Sequence, residues 1–131
     1  IGKLMMISNL PQEYREALKI SRGKNVTISQ AEREVFGATH SDTGAYLLGL
    51  WGLPVPIVEA VAFHHDPNRS LVRDFSPLSA VHIADVLEHE RAGATMDGAA
   101  AQLDESYLKA LGLNNEVAEW REASSEWGRS A

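Results

Sequence analysis

Apolar residues along the chain recur at intervals of three and four, which is the spacing of helices that bury one face. In the first half of the chain this pattern predicts three helices, over residues 11–21, 27–37 and 41–52. Pro11 suits the first turn of the first helix, and Gly23 suits its stop. Thr27 and Gln30 have the spacing of a capping box, which favours a helix start at that point.

The second half repeats the pattern and predicts four helices, over residues 56–65, 77–91, 104–112 and 114–127. Pro54 and Pro56 pre-set the first of these helices, and Pro67 ends it. Asp97-Gly98 is followed by three alanines, which predicts a loop that enters a helical turn. No run of useful length alternates in the manner of a strand. We therefore predict an all-α fold, a bundle of helices with mostly short connections.

Large apolar side chains mark the faces that are expected to form the core. The third predicted helix carries four of them on one stripe, which are Tyr46, Leu47, Leu50 and Trp51. The spacing predicts that this stripe is buried. Trp120 and Trp127, near the end of the chain, fit either the core or a face that contacts a partner.

Length, charge and cysteine content exclude several classes of protein. The 131 residues fit one domain, 1–131, and 44% of them are apolar and 23% charged, as in ordinary globular proteins. A net charge of −6 without a basic run argues against a nucleic-acid partner. The chain has no Cys, which excludes disulfides, thiolate metal sites and a cysteine nucleophile and is compatible with the cytoplasm, where we expect the protein. No apolar run reaches the roughly 18 residues of a membrane span, so we expect no membrane association.

Imidazole and carboxylate groups on apolar helices are the candidate chemistry of this chain. His64 and His65 close one helix, and Asp85 lies on the buried side of the next predicted helix. Such groups are costly to bury without partners, and a divalent metal is one partner that would satisfy them. Adjacent residues on a helix point about 100° apart, so both histidines face one ion only if the helix frays before Pro67. The alternative is that one histidine faces solvent and the other caps the last carbonyls.

Asp85 has an alternative set of neighbours on its own helix. His82 and His89 lie three and four residues away, which makes a cluster within one helix a rival to the site between helices. The third alternative is a buried carboxylate that only accepts hydrogen bonds.

Two further residues are candidates on weaker grounds. His40 opens a helix beside Thr39 and Ser41, which are capping residues, so helix-entry chemistry is an alternative to metal binding. Lys3 is a candidate phosphate contact.

Several stretches of the chain resemble HDOD domains, which are all-helical relatives of the HD phosphohydrolases. The resemblance covers most of the chain and rests on three stretches, residues 32–48, 51–65 and 78–85. They contain the motifs His40-Ser41-Asp42-Thr43-Gly44, Trp51-Gly52-Leu53-Pro54 and Val81-His82-Ile83-Ala84-Asp85. The ordered series of His40, the pair His64-His65 and Asp85 is the specific part of the match.

The resemblance implies a function in signalling. HDOD domains are common output modules of bacterial signalling proteins, often behind a receiver domain, and many are thought to act by protein contacts without catalysis. We therefore expect a regulatory domain of a response regulator or similar protein, whose partner is another protein or an upstream receiver or sensor domain. A plain structural interaction domain, in which the polar residues only satisfy each other, is a further alternative.

The resemblance also implies a second function, metal-dependent phosphoester hydrolysis. His40, His64, His65 and Asp85 match metal-ligand positions that also occur in HD-GYP phosphodiesterases of cyclic di-GMP. The Gly-Tyr-Pro signature is absent, because Asp66-Pro67-Asn68-Arg69 follows the two histidines. A cyclic dinucleotide or another phosphoester would be the substrate.

In active HD enzymes a His-Asp dyad directly precedes a stretch like Ile1-Gly2-Lys3-Leu4. We therefore expect residues 1–131 to be the C-terminal part of an HDOD domain, truncated at the N-terminus. Without the dyad, divalent metal should bind weakly or not at all. Exposed apolar faces should favour a homo-oligomer, with the contact in residues 4–18 or near Trp120.

Overall fold

The described chain is helical from end to end. A computed structural model describes residues 1–92 and 98–130, with only the backbone at Ala92 and residues 127–130. Eight α-helices and a short 3-10 turn follow one another: α1 (Gly2–Asn9), α2 (Pro11–Lys24), α3 (Ile28–Phe36), α4 (His40–Leu50), α5 (Val55–Phe63), the turn Pro67–Arg69, α6 (Pro77–Ala92), α7 (Glu105–Leu111) and α8 (Val117–Ser130). No strand occurs in the described ranges, so the predicted all-α, HD-like bundle is confirmed. The predictions for Asp97 and for the side chain of Trp127 lie outside the described residues.

Helix ends follow local chemistry where a side chain can reach the first turn. The capping box of Thr27 and Gln30 is present, since Gln30 N–H donates to Thr27 Oγ1 and Thr27 N–H donates to Gln30 Oε1. Thr39, rather than Ser41, caps α4 and forms a second box with Asp42. These two caps set the lengths and entry angles of α3 and α4, and α4 carries the first histidine.

Three details differ from the prediction. The chain forms α1 before Leu10, where no helix is predicted. Gly23 lies inside α2, and the helix ends at Asn25, whose φ of 51° is the left-handed conformation that asparagine tolerates. Ala99 and the two alanines after it form no helical turn but cross the molecule as irregular chain.

Two separate apolar cores hold the helices. The first lies among α1, α2 and α3 and is built from Met6, Tyr14, Ala17, Ile28 and Ala31. The second lies among α6, α7 and α8 and is built from Ile83, Leu87, Leu108 and Val117, with Trp120 packed on its edge. Between the two cores, α4 packs on α1 and α5, and α5 packs on α6.

The stripe predicted to be buried on α4 is largely exposed, so that prediction is wrong. Tyr46, Leu50 and Trp51 are 67%, 65% and 60% exposed. Helix α4 instead buries the opposite side, with His40, Ser41, Gly44 and Ala45. Gly44 and Gly2 allow the backbones of α4 and α1 to approach closely, which small residues can do and Leu or Trp cannot.

Gly2 therefore tests the close packing of α1 on α4. A β-carbon at Gly2 would overlap the carbonyl oxygen of His40, so Gly2→Ala should lower the free energy of unfolding by about 3 kcal/mol through overpacking. Gly49→Ala is the matched control, because a β-carbon there meets nothing within 4 Å and should stabilise α4 by about 0.5–1 kcal/mol. Urea denaturation followed by circular dichroism measures both, and equal effects of the two changes would contradict the packing.

Candidate metal centre

Helix α4 places His40 at its first residue, 6% exposed, with its ring directed at a buried carboxylate. Glu32 on α3 is fully buried, and its Oε2 lies 2.6 Å from His40 Nδ1. The same oxygen accepts the backbone N–H of His40 at 2.8 Å. Because Oε2 already accepts the backbone N–H, we assign the proton of the ring to Nδ1, which leaves Nε2 for another partner.

Glu32 has no assigned role in the sequence-based predictions. Its signal was available, since a charge at position 32 falls on the face of α3 that carries Ile28 and Ala31 in the core. A glutamate on a buried face needs a partner to offset the cost of burial, as Asp85 does on α6, and so indicates a candidate site.

The three candidate histidines meet at one point. His40 Nε2 lies 2.9 Å from His65 Nε2, and the rings of His64 and His65 have their centroids 3.9 Å apart. One nitrogen from each of the three rings lies within 4.8 Å of the other two. His40 therefore meets His64 and His65, although 24 and 25 positions separate them along the chain. We call these three side chains the histidine cluster.

The end of α5 explains how adjacent residues both reach the cluster. The helix ends at Phe63, and His64 is its C-terminal cap. His64 Nδ1–H donates to the carbonyl of Val61 at 2.8 Å, which leaves Nε2 of that ring without the proton. His65 follows beyond the regular helix and approaches from a different angle, as the predicted fraying before Pro67 requires.

Asp85 joins the cluster from α6. Its Oδ2 lies 3.5 Å from His65 Nδ1 and is buried without a hydrogen-bond partner among the described residues. Oε1 of Glu32 is also buried without a hydrogen-bond partner among the described residues. Two carboxylates therefore flank three imidazoles, and each has an oxygen atom that a positive charge would satisfy.

The rival cluster within α6 is formed only in part: His89 Nδ1 lies 3.6 Å from Asp85 Oδ1, but His82 is turned away. His82 is 2% exposed and uses both ring nitrogens elsewhere: Nδ1–H donates to the carbonyl of His64 at 2.6 Å, and Nε2 accepts the N–H of Asp104 at 3.0 Å. His89 Nδ1–H donates to the carbonyl of Asp85 at 2.7 Å. His82 therefore supports the turn that carries His64 but has no nitrogen left for a ligand.

A cleft of about 620 Å³ opens onto the cluster, within the usual size of small-molecule sites. His64, His65 and His89 line it, and Lys3 of α1 lies on its wall as well. An irregular segment, residues 98–104, forms the opposite wall, and we call it the strap. The strap is held by Ala99 N–H on the carbonyl of Val26 and by Asp104 N–H on His82.

Burial keeps the two adjacent histidines neutral. Loss of hydration, together with the neighbouring His64, His40 and Lys3, lowers the pKa of His65 to about 3. Loss of hydration also lowers the pKa of His64, against the opposing effects of the Val61 carbonyl and of Asp85. Since His65 is neutral near pH 7, its 3.5 Å contact with Asp85 is not an ion pair. Neutral imidazole is the form that binds metals.

The cluster fits a divalent ion of the type that prefers nitrogen ligands. Two nitrogens bound at about 2.1 Å and at right angles around one ion are about 3 Å apart, close to the 2.9 Å between His40 and His65. Imidazole with carboxylate suits Zn²⁺, Co²⁺ and Mn²⁺ rather than Ca²⁺. His40, His64 and His65, with Asp85 beside them, are the residues that would hold it.

The fold and this cluster define an all-helical domain of the HD type. The family model of the HDOD domain matches residues 1–67, just over half of the 131 residues. The chain therefore belongs to the HDOD domain family, which makes it a signalling domain related to the HD superfamily. Searches of curated proteins and of solved structures found no match.

The depressed pKa of His65 predicts acid sensitivity. A histidine whose folded pKa lies below its unfolded value near 6.5 contributes stability above pH 6.5 and loses it as the pH falls toward 3. In that window the free energy of unfolding should fall by up to about 1.4 kcal/mol per pH unit for this group. Denaturant unfolding in EDTA between pH 7 and pH 4 measures the slope, and His65→Asn should make it shallower. An unchanged slope in that variant would contradict the assignment.

Proposed function

We propose that this domain regulates signalling by binding another protein, and that it does so through an exposed apolar surface. Tyr46, Leu50, Trp51 and Val55 are each 60–70% exposed and lie at the end of α4 and the start of α5. We call these four side chains the α4–α5 patch. Large aromatic side chains at the surface are the usual anchors of protein contacts, because they bury much area when a partner covers them.

Helix α1 carries further exposed apolar side chains. Leu4 is 68% exposed and Ile7 46% exposed, on a helix that packs against α4. This supports residues 4–18 as the contact region, whereas Trp120 packs on the second core and is the weaker candidate. The partner is an upstream receiver or sensor domain, another protein or a second copy of the chain.

We also propose that the helices after residue 67 belong to the same domain. Helix α6 packs on α5, and His82 of α6 binds the carbonyl of His64, so the later helices complete the surroundings of the cluster. Among the described residues, no helix has the length and apolar character needed to cross a membrane. We place the domain in the cytoplasm, in keeping with signalling downstream of a receiver.

The patch can be tested by site-specific photo-crosslinking in cells. A photoreactive amino acid at position 51 should form a discrete crosslinked species, because Trp51 faces the proposed partner, and mass spectrometry identifies it as a second copy, a receiver domain or another protein. Lys109, an exposed polar position on α7, is the control site and should give no such species. Equal crosslinking at both positions, or none at position 51, would contradict the contact surface.

The second candidate function is metal-dependent phosphoester hydrolysis, which is supported by the histidine cluster facing the 620 Å³ cleft. A divalent ion when bound would lower the pKa of its water and neutralise phosphate oxygens. The histidines would hold it as neutral rings, Asp85 would supply negative charge beside it, and Lys3 on the cleft wall would attract the phosphate.

An assay with Mn²⁺ and bis(p-nitrophenyl) phosphate separates the two functions. The contact function predicts no hydrolysis above background and less than stoichiometric metal in dialysed protein. Hydrolysis that Asp85→Asn lowers about 10-fold or more would favour the hydrolase. Asp74→Asn is the control, because Asp74 is an exposed aspartate outside the cleft and should change nothing.

A further inference from the structure

We propose that Glu32 is the positioning residue of the histidine cluster: its carboxylate holds the proton of His40 on Nδ1 and so turns Nε2 of that ring toward His65. Glu32 lies on α3, and its hydrogen bonds described here go to His40 rather than to His64 or His65. It holds under either candidate function, because it concerns the order of donors and acceptors within the cluster.

The geometry of Glu32 is specific to His40. One carboxylate oxygen accepts both the backbone N–H and the ring N–H of the same residue, at 2.8 and 2.6 Å. The two bonds fix the ring relative to its own backbone, so the ring cannot rotate about its side-chain bonds without losing one of them. Burial of both partners strengthens the bonds, since water does not compete there.

The position of the proton on His40 then determines which nitrogen of His65 carries a proton. With the proton of His40 on Nδ1, Nε2 of that ring is an acceptor, and His65 donates its own Nε2–H across the 2.9 Å contact. Nδ1 of His65 is then bare and faces the buried Oδ2 of Asp85 at 3.5 Å. Two electron-rich atoms therefore lie side by side, which accounts for the missing hydrogen bond of that oxygen. Without an ion, Glu32 thus determines the proton positions of two rings, and an ion held by both Nε2 atoms would move the proton of His65 to Nδ1, beside Asp85.

The same arrangement is how proteins tune metal-bound histidines. A carboxylate on the far nitrogen fixes the tautomer and raises the basicity of the near nitrogen, and its loss typically weakens metal affinity 10–100-fold. Glu32 binds Nδ1 of His40, the nitrogen on the far side of the ring. It does not itself belong to the three histidines that would touch the ion.

Two substitutions separate the hydrogen bonds of Glu32 from its charge. In Glu32→Gln the amide oxygen can take the place of Oε2 and accept both bonds, while the negative charge is lost. In Glu32→Leu no acceptor remains, so nothing holds the proton on Nδ1. Glu34→Gln is the matched control on the same helix, because Glu34 is exposed and pairs with Lys24.

Nitrogen-15 NMR of the histidine rings gives a readout that needs no metal. The five histidines of the chain are assigned by single substitutions, and the protonated nitrogen of each ring is identified from its shifts. We expect His40 to carry its proton on Nδ1 in the wild type, in Glu32→Gln and in Glu34→Gln, and to lose that preference in Glu32→Leu. A bare Nδ1 in the wild type, or an unchanged His40 in folded Glu32→Leu, would overturn the proposal. The wild-type spectrum decides the matter if the leucine variant does not fold.

Titration with Co²⁺, followed by its visible absorption, provides the second readout. Glu32→Leu should bind Co²⁺ at least about 10-fold more weakly than the wild type, Glu32→Gln should lie between them, and Glu34→Gln should match the wild type. Equal binding by Glu32→Leu and the wild type would overturn the proposal. A wild type that takes up no Co²⁺ would count against the hydrolase function, and the tautomer of His40 would then decide the role of Glu32.

Discussion

The double hydrogen bond from His40 to the buried carboxylate of Glu32 is the interaction on which the site depends. It joins α3 to the first turn of α4 and sets the orientation of the ring that the other two histidines meet. A charge at 0% exposure is tolerated in proteins only when its partners are close and well aligned. The cluster thus depends on Glu32, whose carboxylate is costly to bury on the otherwise apolar face of α3. The rings of His64 and His65 are arranged around its partner, His40.

A polar layer separates the two apolar cores. Helix α4 buries His40, Ser41, Gly44 and Ala45, and α5 buries Ala60, so few large apolar side chains are fully buried between the two cores. Hydrogen bonds that cross this layer, such as those of His82 to His64 and to Asp104, have to supply the cohesion that apolar packing supplies elsewhere. This makes the middle of the domain more specific in geometry than a core of leucines would be, and more sensitive to the loss of one partner.

The parts of the fold that local chemistry determines could be predicted from the sequence. Thr27, Asp104 and Gly112 mark helix ends where predicted, because a capping side chain or a left-handed glycine acts within one turn. The α4 stripe could not be assigned, because periodicity shows that a helix has two faces but not which face its neighbours cover. Close approach at Gly44 decided it, and that depends on α1, a helix the periodicity does not reveal.

The residues of the candidate site likewise fall into those that local sequence signals identify and those that depend on the packing of distant elements. His40, His64, His65 and Asp85 were identified because imidazole and carboxylate stand out on apolar helices, and the structure brings these four side chains together, while their role in binding metal stays a prediction. Glu32 carried the same signal on α3 but lies eight residues from its partner, so no spacing rule connected them. His82 had the right spacing from Asp85 and was excluded only by the bonds that it makes to other elements.

Two cores joined through a polar layer have a consequence for how the domain opens. Apolar packing within each core resists separation of its own helices, whereas the layer between them can exchange its hydrogen bonds for bonds to water at small net cost. A separation of the α1–α3 half from the α6–α8 half would break these hydrogen bonds together with the helix packing through α4 and α5. That motion would pull Glu32 and Asp85 apart, since they lie on opposite sides of the divide. Such a separation would disturb the histidines while each core keeps its own packing.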